Sequence, residues 1–198
     1  MNTYTIKRAS QPIRWDGVPV LSVDKYLWME PLSITANAQL CYDDEAIFVH
    51  MWASEQNIRA EEQGPTAFPH WDSCLEFFFS PDPSDTRYFN FEFNPLACIN
   101  AGFGYDRYQH TRLLKPAEYF QATANRTDDG WEIFYQIPYE FIRQFFPAFS
   151  PVSGGQMRAN FYKCGDKTAE PHHIAWNPVA QDIPDFHVPA FFGTLYFE

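Results

Sequence analysis

Basic residues are scarce in this chain. Fourteen Lys and Arg stand against 25 Asp and Glu over 198 residues, for a formal net charge of −11. No Lys/Arg run offsets that average, so phosphate backbones and anionic membranes are poor partners. Long apolar runs are missing as well. No stretch approaches the ~20 apolar residues that span a bilayer, and residues 1–9 are polar, without the apolar segment of a secretory signal. With Met1 as the start, a cytoplasmic location is expected. Cysteine is limited to Cys41, Cys74, Cys98 and Cys164, with no CxxC pair. Buried free thiols in a reducing compartment are therefore expected rather than a disulfide framework. Helical periodicity is sparse, and there is no internal repeat, low-complexity tract or linker. One domain spanning residues 1–198 is the expected organisation.

What the chain has in excess is aromatic surface. Twenty Phe, 11 Tyr and 6 Trp make up 19% of it. Such residues favour strands and fill the space between packed sheets, and they also supply flat platforms for the apolar face of a sugar ring. Sixteen prolines and nine glycines punctuate short runs, as many short strands require. Strands are predicted over 34–42, 46–53, 71–80, 87–94, 120–126, 131–137, 157–164 and 193–197. Asp43-Asp44-Glu45 and Asp128-Asp129-Gly130 are predicted as hairpin turns. A short helix is predicted over 139–146, following Pro138, and a turn of helix near 57–62. The predicted fold is all-β: a two-sheet antiparallel sandwich, Ig-like or jelly-roll-like, with one or two short helices.

Alternation along the strands separates two faces. Leu75, Phe77 and Phe79 share one side, with Phe89, Phe91 and Phe93, and with Ala159 and Phe161. The other side collects Asp72 and Glu76, Tyr88, Asn90, Glu92 and Asn94, and Arg158, Asn160 and Tyr162. A half-buried sheet always has a solvated face. This one, however, is rich in planar, bidentate hydrogen-bonding groups that match vicinal hydroxyls. Trp71 at a strand entrance and Trp176 in a loop-like segment are candidate rims, with core packing as the alternative for each.

Several segments occur in a distinctive order: Trp71-Asp72-Ser73-Cys74-Leu75-Glu76-Phe77-Phe78, Tyr88-Phe89-Asn90-Phe91-Glu92-Phe93-Asn94, Arg158-Ala159-Asn160-Phe161-Tyr162-Lys163-Cys164-Gly165-Asp166 and Trp176-Asn177-Pro178. With Trp15-Asp16-Gly17 before them and Asp185-Phe186-His187-Val188-Pro189 and Phe192-Gly193-Thr194-Leu195 after, they resemble carbohydrate-binding module family 9-like domains of the DOMON-like group. The resemblance implies a β-sandwich that binds a terminal sugar between two tryptophans, here Trp71 and Trp176, with Glu76 as a hydroxyl-binding carboxylate. It also implies structural calcium in some members. The expected ligand is a mono- or oligosaccharide, bound by Trp71, Glu76, Asn90, Glu92, Arg158, Asn160 and Trp176, without catalysis.

Three rivals remain open at this level. Glu76 and Glu92 could serve as glycosidase carboxylates, which lie ~5–5.5 Å apart in retaining enzymes and ~6.5–9.5 Å apart in inverting ones. His50, Met51 and Met157 could ligate haem, as in some DOMON relatives. His172, His173, His187 and Asp185 could hold a transition ion. Asp43-Asp44-Glu45 or Asp82 and Asp85 could hold calcium instead of merely shaping turns.

Overall fold

The computed structural model describes every residue from Met1 to Glu198. Its strands are β1 (Thr3–Arg8), β2 (Leu21–Val23), β3 (Lys25–Tyr26), β4 (Thr35–Tyr42), β5 (Ala46–Ser54), β6 (Cys74–Ser80) and β7 (Tyr88–Phe93). They continue as β8 (Ile99–Gly104), β9 (His110–Leu113), β10 (Thr123–Arg126), β11 (Gly130–Pro138), β12 (Gln156–Cys164), β13 (His173–Ala175) and β14 (Gly193–Phe197). The one α-helix, α1 (Tyr139–Arg143), is shorter than predicted and follows Pro138 as expected. Residues 57–62 form no helical turn. Instead, the Asp72 carboxylate ties this segment down, accepting hydrogen bonds from the Glu61 and Glu62 amides and pairing with Arg59.

The two-sheet antiparallel sandwich gives way to one continuous mixed sheet, curled into a half-barrel. Its order is β10-β11-β5-β4-β1-β14-β12-β6-β7-β8-β9, with β2 beside β4, β13 beside β12 and β3 beside β13. The join is β1. Thr3 to Ile6 run parallel to Thr194 to Phe197 of β14, and Lys7 and Arg8 run parallel to Cys41 and Tyr42 of β4. Its sequence, TYTIKR, places only Tyr4 and Ile6 inward, which left it too weakly patterned to be predicted as a strand. β8, interrupted by Gly102 and Gly104, and the shorter strands β2, β3, β9 and β13 are likewise absent from the predicted set, being too short or too weakly alternating.

A core of 38 buried residues draws on both arms of the sheet. Leu75, Phe77, Phe79, Phe89, Phe91, Phe93, Ala159 and Phe161 all lie in it, on the side that alternation predicts. The opposite side of β6, β7 and β12 is not a solvated face. Every residue of β6 and β7 is buried, because the segment 177–192 lies across the sheet. Val179, Phe186 and Phe192 from that segment form a second cluster with Cys74, Phe78, Tyr88, Tyr162 and Cys164.

Candidate functional site

Beside the overlying segment, a pocket of about 460 Å³ lined by 15 residues opens onto the part of that face around Glu76 and Glu92. Its floor is made by register. Glu76 of β6 lies opposite Glu92 of β7, and Glu92 opposite Asn100 of β8. Around them stand His70 from the 3-10 turn Pro69–Trp71, His110 and Arg112 from β9, His173 from β13, and Asp185, Phe186 and His187 from the overlying segment. The small residue Gly102 makes room for this. A methyl group there would overlap the His110 ring and the Asn90 amide.

Glu92 is tightly positioned. Asn90 Nδ2 donates to its Oε1 at 2.7 Å, Asn100 Nδ2 donates to its Oε2 at 2.9 Å, and His70 Nδ1 lies 3.3 Å from Oε2. The other end of the Asn90 amide is fixed by His110 Nε2 at 2.6 Å. Burial works against the Glu92 anion, but the His70 hydrogen bond and charge outweigh it and hold the pKa below the usual carboxylate value. Burial likewise opposes protonation of His70, and its partner Glu92, with Glu76 behind, raises the imidazole pKa above the ordinary value. Glu76 is the opposite case. Within the protein it accepts one hydrogen bond, from Cys164 Sγ at 3.0 Å. Burial first and the Glu92 charge second push its pKa to about 8. His187, whose Nδ1 is 2.7 Å from the Tyr88 hydroxyl, is pulled to about 4 by burial. Burial also pushes the Cys74 thiol up to about 12.

The predicted site residues separate into three groups. Glu76 and Glu92 line the pocket, and Asn90 stands directly behind Glu92. Arg158 and Asn160 do different work: they fasten the overlying segment. Arg158 donates to the carbonyls of Phe192 at 2.7 Å and Ala190 at 3.3 Å, while Asn160 exchanges two hydrogen bonds with the Asn177 backbone at 2.8 and 2.9 Å. The two tryptophans do not face one another across the pocket. Trp176 is 4% exposed and packs edge-on against Phe161 in the main core. Trp71 is half-buried beside Phe68, with ring centroids 4.7 Å apart, and Lys167 Nζ sits over its ring at 2.9 Å. The aromatic groups that do reach the pocket are Phe68 and Phe186.

Of the residues considered for other chemistry, His50 bonds Gln39 and Glu132, while Met51 and Met157 are core residues. His172 is buried against Lys163 Nζ at 2.7 Å. The Asp43 and Asp82 carboxylates accept bonds from their own turns, and Asp85 pairs with Arg87. The pocket histidines His70 and His110 were not predicted. His110 is the first residue of β9, opposite Gly104, and a strand of four residues carries too little alternation to reveal its face.

A family model described as carbohydrate-binding family 9 matches residues 10–197. The chain belongs to carbohydrate-binding family 9. Solved structures similar to it include a Bacteroides uniformis protein described as carbohydrate-binding, 26% identical with a TM-score of 0.85 over 99% of each chain. A carbohydrate-binding module family 9 from Caldicellulosiruptor kristjanssonii, solved with glucose, is 14% identical with a TM-score of 0.71, covering 100% of this chain and 96% of that one. The same module with cellotriose gives 14% and 0.70, covering 100% and 94%. At that identity the likeness speaks for the family 9 fold alone. No curated protein matches the chain.

Proposed function

We propose that this family 9 chain binds the end of a neutral mono- or oligosaccharide in the pocket above Glu76 and Glu92, without catalysis. The observation that carries this reading is the fixed Glu92 carboxylate. It is oriented by Asn90, Asn100 and His70, it opens onto a pocket, and it has Glu76 beside it. Vicinal hydroxyls need such paired acceptors, and an anionic floor disfavours acidic sugars. Phe68 and Phe186 frame the opening, and Trp71 backs Phe68 at that rim. The glucose and cellotriose bound by the Caldicellulosiruptor module support sugar as the ligand class. Calorimetry against glucose, cellotriose and a broader panel of neutral sugars tests the proposal, with affinity expected between micromolar and millimolar. No heat and no perturbed amide resonance across the panel, with folded protein, removes it.

A second reading rests on the way the two carboxylates diverge. Glu76 is held protonated, with a pKa of about 8, while Glu92 is held ionised. Such a split is how general acid and base are assigned in glycosidases. Hydrolysis of chromogenic glycosides by the native chain and not by Glu76→Gln would establish it. A silent panel would dismiss it.

A further inference from the structure

The one place where three metal-ligating side chains come within reach of a single ion is the floor of this pocket, at Cys74, Glu76 and Cys164. Cys74 and Cys164 are direct cross-strand neighbours between β6 and β12, and Glu76 lies two residues from Cys74 on the same face. One donor atom from each lies within 4.8 Å of the others, and all three residues are at most 2% exposed. Donors bound to one zinc ion at ~2.0–2.3 Å stand roughly 3–4 Å from each other. Small side-chain adjustments on a rigid sheet therefore suffice.

We propose that Cys74, Cys164 and Glu76 bind one zinc ion, whose remaining position opens into the pocket. Two observations besides the spacing point to a cation. Glu76 and Glu92 occupy directly paired positions, yet His70 is the only group that contacts either as a cation, and it bonds Glu92. Glu76 itself has only a thiol for a partner. A disulfide between the cysteines would leave that carboxylate without a donor, whereas a metal satisfies all three groups. The donor set decides the class of metal. Two thiolates exclude calcium and magnesium, which take oxygen ligands, and favour zinc among the available divalent ions. Cys164 and Glu76 line the pocket, so the fourth position faces water or a bound hydroxyl, as in three-ligand zinc sites.

The test uses the full chain, reduced and freed of metal, and titrated anaerobically with Co²⁺. One equivalent should give thiolate-to-cobalt charge-transfer absorption and intense tetrahedral d–d bands, both abolished by Zn²⁺. Cys74→Ser and Cys164→Ser should each lose about half the charge-transfer intensity, since each removes one of two thiolates. Glu76→Gln should keep that intensity and weaken cobalt binding by about tenfold or more. Cys98→Ser should change neither. Folded, reduced native chain that develops no charge-transfer band overturns the proposal, whatever the variants do. So does an unchanged band in the Cys74→Ser/Cys164→Ser double variant, or a Cys74–Cys164 disulfide that forms in air with zinc present. No sugar enters the experiment, so its outcome is separate from that of the carbohydrate reading.

Discussion

Glu55, just after β5, and Glu76, in β6, are both withdrawn from water, at 6% and 2% exposure. Their surroundings differ completely. Glu55 lies 3.1 Å from the Lys163 ammonium and accepts hydrogen bonds from Trp131 Nε1 at 2.8 Å and Ser73 Oγ at 3.0 Å. Lys163 in turn donates to the Cys164 carbonyl at 3.0 Å and faces His172 Nε2 at 2.7 Å, while His172 Nδ1 lies 2.7 Å from the Glu170 carbonyl. Every group in that network has its partner. Glu76 has one weak donor and a like charge beside it, and it opens onto the pocket. A closed network fixes a conformation, and an incomplete one leaves valence for a ligand.

The comparison breaks most directly at Lys163. Lys163→Met strands the Glu55 carboxylate in the interior and should cost about 3–5 kcal/mol. A urea-unfolding series showing less than about 1 kcal/mol would deny the network its structural role. Trp176→Leu belongs with the closed region. It should lower stability by about 2–3 kcal/mol through the cavity left against Phe161 and Gly193, and leave sugar affinity unchanged. Lost affinity with intact stability would place Trp176 in the binding machinery.

Glu76→Gln reverses the pattern. Stability should stay within about 1 kcal/mol, while sugar affinity falls at least about tenfold, or roughly 1.4 kcal/mol, for the loss of a carboxyl that both donates to and accepts from a sugar hydroxyl. The smallest effect is a pH slope. His172 is neutral in the folded chain, its pKa pulled from 6.5 to about 4 by burial and then by the Lys163 charge. The unfolded chain takes up that proton near pH 6.5 and the folded chain only near pH 4. Stability is therefore full above about pH 6.5 and falls as the pH drops towards 4. His172→Gln, which keeps an acceptor for Lys163, should flatten the slope in that window; an unaltered slope would assign it to other groups.

Sequence alternation was sufficient to assign sides of the sheet. The Phe ladders of β6 and β7 face inward, and Glu76, Asn90 and Glu92 share the other side. Alternation carries no information about what lies on top of a face. The segment 177–192 has no period, is broken by Pro178, Pro184 and Pro189, and covers most of the surface predicted to be open. Arg158 and Asn160 carry groups that match vicinal hydroxyls. The same groups match backbone carbonyls and amides, and in this fold they take those instead. The closed network does leave a mark in the sequence. Lys163 falls on the inward side with Ala159 and Phe161, and an inward lysine requires a buried partner.

The join at β1 has a consequence for how the molecule comes to exist. Thr3 to Ile6 find their partners at Thr194 to Phe197, almost the full chain away. During synthesis these N-terminal residues must wait, unpaired, until the C-terminal strand has left the ribosome, and the two arms of the sheet cannot be locked together before then. So non-local a closure favours slow folding and a prolonged exposure of open strand edges. A bulky fusion placed against either strand, or loss of residues 1–8, should yield chains that aggregate while nascent rather than ones that merely melt earlier.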